Sequence, residues 1–336
     1  MRVERILDAD VNRAAEGLRV LEEVARFLGD DHTQAATLKH LRHRLRAAIP
    51  AAATAWRDTP GDVGTTIAAA DEARRCDLVA IIRANARRAQ EALRALEEFS
   101  KLSGLDAAFF EAMRYACYTA ESELLARLPQ QRLRAARLYA LIDVALCDDP
   151  VAVAGAVAHG GAGVVQLRAK QLEPRNYLAL AERMQAAVRA AGAMFVVNDH
   201  VAVAAALGSD GVHIGQDDLA PDHVRRVVGP GCAIGLSVHA PEQLAPARSG
   251  AVDYIGLGPV FTTTTKPHEP VRGPELLRRV AGLSLPPSYA IGGITLERLP
   301  QLLGLLPHGV AVAGDLCRAA DPQARAAAYR ALLDDG

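Results

Sequence analysis

VVNDH (196–200) and GVHIGQDDL (211–219) decide the reading of this chain, because each is a short apolar run that ends in carboxylates. Short continuous apolar runs bounded by polar or turn residues suit strands buried on both faces, as in parallel sheets. Eight such runs follow one another, each trailed by a helix-length segment: RLYALID (137–143), GVVQLRA (163–169), MFVVND (194–199), GVHIG (211–215), AIGLSVH (233–239), YIGLGPV (254–260), SYAIGGI (288–294) and GVAVAG (309–314). Eight βα units in about 200 residues predict an α/β fold of the (β/α)8 TIM-barrel type, at the short end of its size range. A doubly wound sheet is the competing arrangement.

Ahead of these runs the period changes. Val11, Ala14, Leu18, Leu21, Ala25 and Leu28 recur at intervals of three and four, which is helical spacing. A shift of 75 residues lays Arg13, Ala14, Glu16, Leu18, Arg19, Leu21, Glu22 and Glu23 on Arg88, Ala89, Glu91, Leu93, Arg94, Leu96, Glu97 and Glu98. Each copy is followed by a second helical stretch, LKHLRHRLRAAI (38–49) and EAMRYACYTAESELLARL (111–128). The expectation is a duplicated helix pair forming an all-α, four-helix bundle domain over 1–130, followed by the barrel over 131–336. RDTPGDVGTT (57–66), between the copies, is rich in turn formers and reads as a loop.

Composition narrows the function. A formal charge of −1 over 336 residues provides no basic field for nucleic acid or anionic lipid. The five cysteines, at 76, 117, 147, 232 and 317, show no CxxC pair and fit free thiols in a reducing compartment. MRVERILDAD lacks the apolar core of a signal peptide, and no apolar run approaches membrane-spanning length, so a cytoplasmic protein is expected. The oligomeric state is left open, a homo-oligomer being one option.

The polar residues gather at the C-terminal ends of the apolar runs, which in a barrel share the rim where active sites sit. Asp199 and Asp218 supply the hard oxygen ligands that suit Mg²⁺, an ion that takes one or two carboxylates and completes its shell with water and substrate phosphates. The bland alternative for each is a helix N-cap. Arg168, Lys170 and Lys266 would surround an anion with positive charge, and Asn198 and Ser237 would add neutral hydrogen bonds. Metal and cations together meet the needs of a departing diphosphate. Gly292-Gly293 and Ala313-Gly314 follow the last two runs, where barrels commonly bind phosphate through backbone N–H groups. TTTTK (262–266) reads as a hydroxyl-lined loop closing over substrate. His239 is a secondary acid or base candidate, more often a scaffold residue at a strand end.

In order, VQLRAK, VND, HIGQDD, GLSVH, GLGPVF with TTTTK, and AIGGI resemble the thiamine phosphate synthase family, also called thiamine-phosphate pyrophosphorylase, across most of the barrel. The resemblance implies the joining of hydroxymethylpyrimidine diphosphate to thiazole phosphate with release of pyrophosphate. It implies that Gln166, Leu167, Arg168, Ala169, Lys170, Asn198, Ser237 and Lys266 hold the pyrimidine diphosphate, with Asp199 and Asp218 on magnesium. It likewise implies that Thr263, Thr264, Thr265, Gly293, Ala313 and Gly314 receive the thiazole phosphate. The chain departs from the usual pattern at Ala169, where many members have Glu, at Gly314, where Ser is common, and at Thr262, where Pro is common.

Two other functions compete: a related thiazole tautomerase, for which His239 would serve, and a noncatalytic sensor of thiamine precursors. The helical part resembles the domain fused ahead of some of these synthases, for which a pyrimidine phosphate kinase role has been proposed, through EGLRVLEE, LRHRL and RDTPGDVGT. There, Arg13, Arg19, His43, Arg44 and Arg57 would bind phosphates, and Asp58 or Asp62 would meet magnesium. No GxxxxGK[ST] is present to cradle ATP, and the competing reading is a packing or dimerisation module.

Overall fold

The structure is a computed structural model describing residues 3–29, 31–49, 78–263 and 271–335. The loop 57–66, with Arg57, Asp58 and Asp62, lies outside the described residues, as do Cys76 and Thr264, Thr265 and Lys266 of the TTTTK run. The chain divides into two compact units, Met1–Leu128 and Pro129–Gly336.

The first unit is helical: α1 (Val3–Glu23), continued by a π-helical turn at Val24–Leu28, then α2 (His32–Ala47), α3 (Leu78–Ser100) and α4 (Ala107–Ala135). The division between the units falls inside α4, at Pro129. Leu7, Ala14, Leu18 and Leu21 of α1 are buried against Ile82, Ala86, Ala89 and Leu93 of α3, all at the three-and-four spacing that gives a helix one apolar face. The two helices approach closely at Gly17, where a Cβ would stand 2.6 Å from the Asn85 carbonyl oxygen. Asp31 caps α2 by accepting a hydrogen bond from the Gln34 amide at 3.0 Å.

The duplication is visible in its ion pairs. Buried Glu22 meets Arg19 at 3.1 Å and Arg42 of α2 at 2.9 Å, while its counterpart Glu97 meets Arg94 of its own helix and Arg114 of α4 at 2.9 Å. Arg19 also pairs with Glu23, and Arg94 with Glu98 at 2.8 Å. Each copy therefore places one carboxylate between two guanidinium groups, which satisfies a charge that burial would otherwise penalise.

The second unit is a closed barrel of eight parallel strands in sequential order, so the doubly wound alternative is excluded. The strands are β1 (Leu138–Asp143), β2 (Val164–Arg168), β3 (Met194–Asn198), β4 (Gly211–Ile214), β5 (Ala233–Val238), β6 (Tyr254–Leu257), β7 (Ser288–Ile291) and β8 (Gly309–Val312). The outer helices relevant below are α5 (Pro150–His159), α6 (Pro174–Ala190), α7 (Val201–Leu207), α8 (Pro221–Val228), α9 (Ala245–Arg248), α10 (Gly273–Val280), α11 (Gly314–Cys317) and α12 (Pro322–Asp335).

Strand side chains alternate between two cores. Ala140, Ile142, Val165, Leu167, Phe195, Val197, Ile234 and Ile255 face outward into the layer shared with the helices. Tyr139, Val164, Met194, Val196, Tyr254 and Tyr289 point into the barrel. One end of the barrel is closed by the segment before β1: the Tyr289 hydroxyl donates to the carbonyls of Leu133 and Ala136, at 3.0 and 2.9 Å. The inward positions thus pass from apolar residues through tyrosines to the polar strand ends.

Candidate active site

The parallel register sets the rim. Asp143 stands opposite Arg168 where β1 pairs with β2, and the two form a buried ion pair. Asp143 also accepts from the Ala145 amide at 3.1 Å, so the carboxylate that orients the guanidinium is itself held. Arg168 therefore presents a fixed positive charge rather than a mobile one, which is what stabilising a developing anion requires.

Arg168, Asn198, Ser237, Thr262 and Thr263 line one cavity of about 910 Å³, together with Gly292-Gly293 and Ala313-Gly314. Gln166 lies deeper in it. Asn198 is fixed through its backbone: its amide donates at 3.2 Å to the Tyr177 hydroxyl of α6, which donates to the Leu167 carbonyl at 2.8 Å. Burial pushes the Tyr177 phenol up, so it stays protonated and able to donate.

Beneath the rim runs a chain of hydrogen bonds across five strands. The Gln166 side-chain amide donates to the Tyr139 hydroxyl at 2.9 Å, and the Tyr139 and Tyr254 hydroxyls lie 3.0 Å apart. Tyr254 meets Nδ1 of His213 at 3.2 Å, and Nε2 of that ring meets the Ser237 hydroxyl at 3.0 Å. Burial raises both phenols, so neither ionises near neutrality. When every proton in the chain points toward Ser237, Nε2 of His213 donates to Oγ, and the Ser237 hydroxyl hydrogen becomes the donor at the cavity end.

The other side of the cavity is built by β7, β8 and α11. Gly293 has φ +61°, and a Cβ there would stand 2.3 Å from the Thr262 carbonyl oxygen, so only glycine permits this approach of the two loops. Asp315 accepts a fork of two 2.9 Å bonds from Arg325, one at 2.6 Å from the Tyr329 hydroxyl and one at 3.2 Å from the Leu296 amide. It thereby fastens the loop after β7 to the start of α11. Arg318 also lines this part of the cavity, with Nη1 3.4 Å from where a Gly314 Cβ would be.

Asp199 and Asp218 lie at the ends of β3 and β4 but do not line the cavity. Neither is the N-cap residue of the helix that follows it: His200 occupies that position for α7 and Ala220 for α8. Asp199 is the one non-glycine residue with positive φ, 62°, among those described, and its amide donates to the His213 carbonyl at 2.9 Å. Such a conformation persists only where its surroundings hold it. Lys170 stands 3.9 Å from Asp199, and Asp218 closes its own turn by accepting from the Gly215 amide at 2.7 Å. Each carboxylate is a hard oxygen donor of the kind Mg²⁺ takes beside water and phosphate oxygens, and among the described residues no group of three or more His, Cys, Asp or Glu is placed to hold a metal ion.

Leu167 and Ala169 are buried in the outer core, so only their backbones can meet a substrate. The departure at Ala169 is therefore on the helix side of the strand, not beside the rim cations. A Cβ at Gly314 would meet only Arg318, which leaves room for a larger residue there. His239 lines the cavity, but its Nδ1 is engaged by the Gly258 carbonyl at 2.7 Å. Asp143, Tyr139, Asp315 and Arg318 lie outside the motifs quoted above, and His213 lies within HIGQDD without being marked by it as a site residue. Of these only Asp143 carries a local signal, as the last residue of its apolar run.

Fold and rim define a TIM-barrel enzyme in which braced polar side chains and the glycine-rich turns after the last two strands line one cavity. The Thiamine monophosphate synthase family (TMP-TENI) matches residues 138–316, and the ThiD2 family matches residues 5–123. A thiamine-phosphate synthase of Rhodopirellula baltica is 40% identical, over 94% of this chain and 88% of its own. Another from Gloeobacter violaceus is 38% identical over 99% and 98%. The solved thiamine phosphate pyrophosphorylase of Pyrococcus furiosus superposes with a TM-score of 0.55 at 28% identity, covering 60% of this chain and 98% of its own. The chain belongs to the thiamine monophosphate synthase family, preceded by a ThiD2-type helical domain, and is a transferase of thiamine biosynthesis. Among the described residues no helix is long and apolar enough to cross a membrane.

Proposed function

We propose that the barrel joins 4-amino-2-methyl-5-(diphosphooxymethyl)pyrimidine to thiazole phosphate, giving thiamine phosphate and pyrophosphate. The observation that carries this reading is the single cavity holding Asp143-braced Arg168, Asn198 and Ser237 on one side and Gly292-Gly293 with Ala313-Gly314 on the other. Arg168, Lys170, Lys266 and the Ser237 hydroxyl bind the diphosphate and stabilise the charge it gains as its C–O bond breaks. Asp199 and Asp218 would hold Mg²⁺, which supplies further neutralisation of that charge when bound. The aminopyrimidine ring stabilises the methylene cation that remains, and the thiazole nitrogen captures it. Thr263, Thr264, Thr265, Gly293 and the backbone of Ala313 and Gly314 place the thiazole phosphate so that this nitrogen faces the cation. No covalent nucleophile is needed from the protein; its contribution is positioning and charge.

The test is an assay of the full chain with both substrates, with and without EDTA. Equal amounts of thiamine phosphate and pyrophosphate, lost on chelation, are expected. Absence of both products from a folded sample refutes the synthase reading.

For the helical unit, the ThiD2 match supports a kinase role, supplying the pyrimidine diphosphate from its monophosphate. Arg13 pairs with Asp10 at 3.0 Å, Arg19 pairs with Glu22 and Glu23, and exposed Arg44 lies over the Phe109 ring. ATP-dependent formation of the diphosphate by the full chain is the expected result; no ATP consumption would leave a packing module. Phosphorylated small-molecule substrates and a cytoplasmic location complete the reading.

A further inference from the structure

Cys147 and Cys317 are 170 positions apart in the sequence and have no role in the chemistry above, yet the fold brings their thiols together on the rim. Cys147 follows β1 and its thiol meets the Asp143 carbonyl at 3.6 Å. Cys317 ends α11 and its thiol meets the Leu141 carbonyl at 3.5 Å. These carbonyls are two residues apart on β1, so both thiols pack against the same short stretch of one strand. We propose that Cys147 and Cys317 form a dithiol that small-molecule disulfides close into a reversible cross-link, and that closure slows the transferase.

Access and chemistry assign the order of events. Cys147 is partly exposed and Cys317 is buried. Contact with Cys317 holds the Cys147 thiol below its usual range, against the burial and the nearby carboxylates that oppose this; the same contact, with burial, pushes the Cys317 thiol up. Cys117 and Cys232 are buried and pushed up to about 12 by desolvation, so they are poor nucleophiles. The Cys147 thiolate attacks one sulfur of the small disulfide and expels one thiolate. Cys317, losing its proton, then attacks the Cys147 sulfur of the mixed disulfide and expels the second. The protein loses two electrons and two protons, and the oxidant gains both as two thiols.

The functional consequence rests on the synthase reading. The cross-link would tie the loop after β1, which begins at the partner of Arg168, to α11, which begins at Gly314. Closing a sulfur–sulfur contact to a bond of about 2 Å shortens that span and displaces groups on both anion sides of the cavity.

The test treats the full chain with glutathione disulfide, maps cysteines by alkylation and peptide mass spectrometry, and measures turnover. The expected result is a Cys147–Cys317 linked peptide, reversed by dithiothreitol, with turnover falling roughly tenfold to a hundredfold, the cost of small displacements of positioning groups. Cys147→Ser and Cys317→Ser should keep turnover under the same treatment. Retained glutathione on Cys147, both thiols still alkylatable, or a link to another cysteine overturns the proposal. So does a linked enzyme with unchanged turnover, or equal loss in the two variants. A chain inactive before oxidation refutes the synthase reading instead, and the linked peptide still decides the dithiol.

Discussion

The barrel and the helical unit use polar residues in opposite ways. In the helical unit the buried charges close on one another: Glu22 is shared by Arg19 and Arg42, and Glu97 by Arg94 and Arg114. In the barrel, Arg168, Asn198 and Ser237 are braced from behind, by Asp143, Tyr177 and His213, and face a common cavity. A charge satisfied on all sides maintains a fold, whereas a charge satisfied only from behind is prepared for a ligand. Braced but unclosed polar groups are therefore a better guide to function than the number of charges.

Perturbing each set should give different signatures. Arg42→Ala leaves buried Glu22 with only the half-exposed Arg19 as its partner and should destabilise the helical unit by about 1–3 kcal/mol, read by denaturant unfolding. Below that transition, synthase turnover should be retained; a specific loss of turnover in the folded variant would break the contrast. Asp199→Ala or Lys266→Ala should cut turnover by about 10²–10³, the scale of losing one charge-stabilising group, with unfolding still cooperative. Near-normal turnover in both would refute the rim assignment. Tyr254→Phe interrupts the chain that ends at Ser237 and removes one buried hydrogen-bonding hydroxyl, costing on the order of 1–2 kcal/mol of stability. Its turnover should fall, with the KM for thiazole phosphate unchanged; a rise in that KM alone would show that the chain serves the other side of the cavity. Glu275→Gln, which breaks the exposed 3.3 Å pair with Arg278 on α10, should shift stability by under about 1 kcal/mol and leave kinetics unchanged.

The eight strands were legible because parallel strands buried on both faces leave continuous apolar runs, and the polar strand ends followed from barrel geometry. Finer features needed register and distance. Alternation places Arg168 in the barrel and Leu167 and Ala169 in the outer core, a distinction lost when QLRAK is treated as one motif. Asp143 carries a local signal as the last residue of its apolar run, but its pairing with Arg168 was readable only once β1 and β2 were in register. Tyr139, Tyr254 and His213 sit on three strands, and Cys147 and Cys317 on opposite ends of the barrel sequence, so no local pattern joins them. In the helical unit the 75-residue shift aligned Arg19, Glu22 and Glu23 with their counterparts. It missed Arg42 and Arg114, which lie about a turn out of step with that shift.

The most direct test of the central claim is the turnover of Arg168→Ala in the full chain, assayed for thiamine phosphate with saturating magnesium and both substrates. A loss of about a hundredfold or more, with unfolding still cooperative, is the predicted result. Turnover within about twofold of the unmodified chain, in a range too small for a lost charge-stabilising group, would contradict the claim that this rim carries the departing diphosphate.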